Sequence, residues 1–392
     1  MYSPTIKRGV FVLEGLNSFG LTYFFYYLYF FTQKKFGFDN KANLILAAGL
    51  GFVCMVAAIY GGRFAQRAGY FLALKVGFVI MLGSLSFGFF LGDYLAGHIA
   101  LAVLTTVGMC FTWATLEALT SEGESYASLP GKLGFYNVVW AGTGALAYFS
   151  GGAILERYGL RSLYSVPVAI LLAQLALLFW LERRARRERG QTVTPSAARN
   201  APHPQSPAKA KAFLRMAWLV NPFSYIAINT LVAVMPDVAG RLGLSTTLAG
   251  VCCSLWCFAR VASFFLFWFW TGWHYRFRWL LAAFLALIGS FAVILLVPHL
   301  AVVIVAQILF GAALGLNYYS SLFYSMDVGD TKGEHGGIHE AVIGIGNLVG
   351  PAVGAASLHF LPGRPNSGAV AVTVLLLCGL GALLGIWRTT KT

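Results

Sequence analysis

Charge is what this chain has least of. Asp, Glu, Lys and Arg make up 11% of its 392 residues, and only 14 of these are acidic. Soluble domains devote about a quarter of their residues to charge, so no soluble domain of ordinary size fits. Cysteine is also sparse. All six (Cys54, Cys110, Cys252, Cys253, Cys257, Cys378) fall in apolar stretches, which argues against a disulfide framework. The Cys252-Cys253-x-x-x-Cys257 cluster reads as buried apolar cysteine in preference to a soft-metal site. No Gly-x-x-x-x-Gly-Lys-Ser/Thr loop occurs, so ATP is not expected as a direct energy source. Neither a nucleophile elbow nor His-Glu-x-x-His is present. An enzyme is not expected, and no cofactor or metal is either.

What the chain has is length without polarity. It is 58% hydrophobic, with a mean hydropathy of +0.72. A bilayer core about 30 Å thick needs roughly 20 apolar residues of helix. Twelve stretches meet that need, near 9–31, 43–62, 71–92, 97–117, 132–154, 163–181, 213–235, 245–270, 277–296, 299–324, 337–358 and 367–388. The expected fold class is an all-α membrane protein of twelve transmembrane helices in two six-helix pseudo-symmetric bundles. The divisions are 1–181, a basic linker over 182–212, and 213–392.

Basic residues outnumber acidic ones 28 to 14, and the excess is one-sided. With the amino terminus inside, twenty Lys/Arg fall in inner loops and termini and seven in outer loops. Removing the nine between Arg183 and Arg215, eight of them in the linker, leaves the same sign. Lys/Arg excess marks the cytoplasmic face, so both termini are expected in the cytoplasm, in a bacterial inner membrane. The net charge of +14 is therefore read as contact with lipid headgroups, and nucleic acid is not an expected partner.

The halves repeat weakly in the same order. Phe36-Gly37-Phe38 after the first span matches Leu242-Gly243-Leu244 after the seventh, an offset of 206. Gly131, Gly142 and Gly144 match Gly333, Gly344 and Gly346, an offset of 202. Parallel repeats related by an axis along the membrane normal produce such a pattern.

Gly62-Arg63-Phe64-Ala65-Gln66-Arg67-Ala68-Gly69 resembles the loop motif of the major facilitator superfamily, Gly-x-x-x-Asp-Arg-x-Gly, with Gln66 in place of the acid. Gly346-Asn347-Leu348-Val349-Gly350-Pro351-Ala352-Val353-Gly354 resembles the superfamily's Gly-x-x-x-Gly-Pro-x-x-Gly pattern. That pattern belongs to helix five of antiporters and here stands in the eleventh span. The resemblance implies a carrier, mostly monomeric in this superfamily, whose first, fourth, seventh and tenth helices line a central path.

Ionisable residues inside spans usually face a cavity or a partner, because charge in hydrocarbon is costly. Glu14 lies in the first span with Asn17 three residues on; Glu117 ends the fourth; Arg260 is mid-way through the eighth. Asn221, Tyr225 and Asn229 fall at i, i+4 and i+8 of the seventh span, and Asn317 is in the tenth. Glu14 and Glu117 are the candidates for proton coupling. Asn17, Asn221, Tyr225, Asn229, Arg260 and Asn317 are the candidates for substrate binding. Each has a structural alternative: Glu117 as a helix-end residue, Arg260 as an ion-pair partner of Glu14, the Asn/Tyr stripe as interhelical hydrogen bonding. The aromatic run Tyr23–Phe31 is expected mostly in an interfacial belt and helix packing. Gly62, Arg67, Gly69, Asp327, Lys332, His339 and Glu340 are gating candidates. Together these features imply a secondary transporter of a small organic solute with proton coupling, leaning towards export. Uptake, facilitated diffusion and a non-transporting membrane sensor are the alternatives.

Overall fold

The computed structural model describes residues 2–122, 129–188, 207–328 and 332–391. Among them the chain forms thirteen α-helices and no strand. In order these are α1 (Pro4–Phe36), α2 (Asn40–Ala68), α3 (Tyr70–Leu91), α4 (Leu95–Ser121), α5 (Leu129–Tyr158), α6 (Ser162–Glu188) and α7 (Pro207–Arg241). Then follow α8 (Thr246–Cys253), α9 (Leu255–Phe269), α10 (Phe277–Leu296), α11 (Leu300–Val328), α12 (Lys332–Phe360) and α13 (Ser367–Lys391). The eighth span is thus two helices joined at Ser254, and the total is still twelve spans. Eleven are long and apolar enough to cross a membrane. The remaining one, α1, has the length with 33 residues, but Glu14, Asn17 and its tyrosines dilute its hydropathy. The linker expected over 182–212 is helical up to Glu188 and again from Pro207; residues 189–206 lie outside the described residues.

Local signals set the helix ends. Ser3, Asp39 and Ser245 each accept a hydrogen bond from a backbone N–H of the first turn that follows, and Pro4 occupies a position that needs no donor. Gly37 closes α1 at φ 69° and Gly243 follows α7 at φ 67°, a left-handed geometry that glycine adopts without strain. These are the two glycines matched by the internal repeat.

Helices α1 to α6 pack among themselves, as do α7 to α13, and the halves meet along α2 with α12 and along α5 with α8 and α9. Described residues of the two halves also meet at the end of the bundle away from the chain termini, here the loop end. There Lys34 donates to Thr246 Oγ1 at 2.5 Å and Thr247 donates to Glu156 Oε2 at 2.5 Å, so two hydrogen bonds join the halves. A Cβ on Gly152 would stand 2.1 Å from the Thr246 carbonyl oxygen. Many large apolar side chains, Phe52, Phe90, Leu172, Phe269, Val305 and Val374 among them, are exposed. On spans of this length they face lipid.

Most of the aromatic run of α1 serves the helix packing expected of it, and not an interfacial belt. Tyr23, Phe24, Tyr27, Tyr29, Phe30 and Phe31 are buried inside the protein. Tyr27 donates to the Tyr148 carbonyl at 2.5 Å, and Tyr23 and Ser162 share a hydrogen bond at 2.7 Å. A hydroxyl buried among helices needs a partner, and these two find theirs on α5 and α6.

Candidate functional site

A cavity of about 160 Å³ lies between the halves. Helix α1 contributes Glu14, Phe25, Tyr26 and Tyr29; α4 contributes Trp113 and Glu117; α5 contributes Tyr136 and Trp140. From the other half come Tyr225 and Asn229 of α7, Arg260 of α9, Tyr318 of α11 and Asn347 of α12.

Glu14 is wholly buried, and neither carboxylate oxygen has a hydrogen-bond partner. Tyr136 faces it without closing a bond of normal geometry, and Glu117 is near enough for its charge to act on Glu14. Two acids of one sign therefore share a wall of the cavity.

Arg260 is 6% exposed. Its guanidinium lies 4.6 Å from the Trp140 ring centroid and 5.1 Å from that of Trp256. Both are within the range of a cation–π contact. Trp140 is fixed by its indole N–H, which donates to Asn137 Oδ1 at 3.1 Å, by an edge contact with Tyr318 and by the tilted ring of Phe264. Trp256 is fully buried and stacks on Tyr26. The Nε of Arg260 is buried without a partner. Among the described residues neither Glu14 nor Glu117 forms an ion pair with it, so the ion pair considered from the sequence is not made.

Asn229 donates to the Tyr225 carbonyl at 3.2 Å and also to Asn347 Oδ1, joining α7 to α12 beside the cavity. Five of the eight binding and coupling candidates therefore converge: Glu14, Glu117, Tyr225, Asn229 and Arg260. The other three do not line the space. Asn17 donates to Thr112 Oγ1 at 3.4 Å and Asn317 to Ser224 Oγ at 3.1 Å, both as interhelical ties. Asn221 is buried with both amide atoms unpartnered. It sits eight residues, about 12 Å of helix, nearer the terminal end than Asn229.

Of the gating candidates, Gly62 is half-buried, Arg67 is exposed, and Gly69 joins α2 to α3 at φ 92°. Asp327, Lys332, His339 and Glu340 lie outside the residues whose side chains are described. The sequence reading passed over Tyr136, Trp140, Trp256 and Asn347. One signal was available: Trp256 precedes Arg260 by four residues, which puts an indole on the same helix face as the buried cation.

Two halves of six spans around a cavity that holds two acids and one cation, with no ion pair among the described residues, have the build of a solute carrier. The sequence profile described as Major Facilitator Superfamily matches residues 126–351, more than half of the chain. This protein belongs to the major facilitator superfamily, whose members move small solutes across membranes by alternating access. No curated protein sequence gives a significant match. Solved structures share the fold at low identity. The nucleoside transporter NupG is 12% identical with a TM-score of 0.71, over 98% of this chain and 99% of that one. The proton:xylose symporter XylE, bound to 6-bromo-6-deoxy-D-glucose, is 13% identical with a TM-score of 0.68, over 99% and 97%. The human organic anion transporter MFSD10 is 14% identical with a TM-score of 0.66, over 97% and 100%.

Proposed function

We propose that this protein is a secondary active transporter that couples movement of a small organic solute to protons through Glu14 and Glu117. The observation that carries the reading is Glu14: a buried carboxyl group on the cavity wall, with no cation among the described residues beside it and only the facing Tyr136 against it, next to a second acid. An ionisable group left unpaired inside a membrane is expensive to keep and marks a functional pathway. When the halves close it is desolvated, and when they part it meets water; that alternation loads and unloads a proton. Glu117, half-buried and open to the same cavity, is the relay between Glu14 and the terminal end. Tyr225, Asn229 and Arg260 bind the solute at the midplane, where superfamily carriers hold theirs. The terminal end is assigned to the cytoplasm on the Lys/Arg excess in its loops.

The test uses protein reconstituted in liposomes with a pH-sensitive dye inside. A thermal-shift screen first supplies a solute that stabilises the protein. Addition of that solute is expected to move protons through the wild type. Glu14→Gln is expected to keep solute counterflow and lose the proton signal. Proton movement in Glu14→Gln equal to wild type would remove Glu14 from the coupling.

A further inference from the structure

Beyond the carrier reading, on which this rests, the cavity carries information about what it holds. We infer that its ligand is a planar aromatic monocarboxylate, with the carboxylate on the terminal nitrogens of Arg260 and the ring among the aromatic side chains.

The charge count comes first. Among the described residues lining the cavity, Arg260 is the only base, and Glu14 and Glu117 are the only acids. One cation without a protein counter-ion, in a space where charge interactions are stronger than in water, favours a single negative charge. A dianion such as phosphate would pair one charge with Arg260 and leave the second without a cation, in a space that already holds two acids. A cationic ligand would find the acids but would face Arg260 at close range.

Geometry narrows the class. Trp140 and Trp256 flank the guanidinium, and Nε is buried away from any partner. Among the described residues no hydrogen bond occupies the terminal nitrogens, whose spacing matches the two oxygens of a carboxylate. The indoles hold the fork in place before ligand arrives, so little freedom is lost on binding. Tyr26, Trp113, Tyr136 and Tyr318 add aromatic surface beside Trp140, with Leu50, Met109 and Val232 among the aliphatic side chains between them, and rings pack best against aromatic surfaces. At about 160 Å³ the cavity is below the roughly 300–1,000 Å³ range of drug-sized pockets, the scale of a one-ring compound.

Purified full-length protein in lipid nanodiscs tests this through tryptophan fluorescence, without any gradient. The probes are benzoate, 4-hydroxybenzoate, benzamide, benzylammonium and inorganic phosphate. Saturable binding of at least one carboxylate is expected, about tenfold or more tighter than benzamide, with no competition from phosphate. Arg260→Gln is expected to lose that tenfold preference, and Arg260→Lys, which keeps charge but not the fork, to lose most of it. Should Arg260→Gln fail to fold, the benzoate–benzamide comparison on wild type still decides. The inference is overturned if neither carboxylate binds, if benzamide or benzylammonium binds as tightly, or if Arg260→Gln binds benzoate undiminished. Carboxylate binding with no counterflow of that carboxylate would defeat the transport reading and leave this one standing. Counterflow of a neutral solute without carboxylate binding would do the reverse.

Discussion

Gly51 on α2 faces the backbone of Asn347 on α12 so closely that a Cβ at position 51 would lie 2.5 Å from the Asn347 carbonyl carbon. A few residues on, Gly344 faces the backbone of Met55 in the same way, at 2.6 Å. Small residues allow helix backbones to approach in membranes, and here they do so across the two halves. Asn347 also accepts the amide of Asn229 and lines the cavity. The contact between the halves and the wall of the cavity therefore share a residue, so under the proposed function a solute at Asn229 would bear on the position of α12.

Gly51→Ala tests the closeness of that contact. Backbone on the opposing side cannot swing away as a side chain would, so overpacking of this kind costs about 1–3 kcal/mol. The expected outcome is a population shifted away from the closed loop end. It would be read as faster maleimide labelling of a cysteine placed at Lys34 in a variant lacking the native cysteines. Gly49→Ala is the control, because nothing lies within 4 Å of a Cβ there. Equal labelling of the two variants would show that α2 and α12 are not held this closely.

The loop between α3 and α4 carries a pH-dependent tie. Asp93 accepts a hydrogen bond from Lys35, 2.5 Å away, and Arg161 stands 3.5 Å from its other oxygen. The Lys35 ammonium holds the Asp93 carboxyl below its ordinary value, with Arg161 adding to the effect. A carboxyl lowered by folding stabilises the native state above the unfolded value and loses that contribution as pH falls through the lowered one. The melting temperatures of wild type and Asp93→Asn are therefore expected to differ at neutral pH and to converge on acidification below the usual aspartate range. The gap should be small, since exposed ion pairs contribute little. A gap that widens on acidification would contradict the assignment.

Hydropathy exposed the fold because a bilayer dictates span length whatever the side chains are. The same test underrates α1, where Glu14, Asn17 and the tyrosines answer to the protein interior and not to lipid. The break at Ser254 left little mark in sequence, since no proline lies in the eighth span. Within the site, buried charges were legible because few residues survive in hydrocarbon without a task. Trp140 and Tyr136 were not, because aromatics in spans serve packing far more often. The α7 stripe misled in part. Residues four apart drift about 40° around a helix, so Asn221 points about 80° away from Asn229, and only Tyr225 and Asn229 reach the cavity.

Lys7 shows a buried cation used for structure. It is 5% exposed, and its ammonium donates to the carbonyls of Leu119, Thr120 and Glu122 at 2.8–2.9 Å. A cation there satisfies carbonyls that a helix end leaves open and complements the negative end of its dipole. Lys7→Met is expected to destabilise the protein by about 1–3 kcal/mol, seen as a lower melting temperature in nanodiscs. Ligand affinity of the folded fraction should be unchanged, because Lys7 does not line the cavity. Loss of affinity at unchanged melting temperature would mean that Lys7 belongs to the transport path.

Trp140 and Arg260 belong to opposite halves, α5 and α9, so their contact crosses the plane along which the halves move. A desolvated cation–π pair contributes up to about 2 kcal/mol, and among the described residues Arg260 has no carboxylate partner to replace it. Trp140→Leu keeps an apolar side chain but removes the π face and the N–H that Asn137 holds. Trp140→Phe keeps a weaker face. The expected order of carboxylate affinity is wild type, then Trp140→Phe, then Trp140→Leu, with the last reduced roughly tenfold. The neutral probe benzamide separates fork positioning from wall packing: its affinity should fall by less than that of benzoate in Trp140→Leu. Equal losses for both probes would make Trp140 a wall of the cavity and no more, and the orientation of Arg260 would then rest on Trp256 alone.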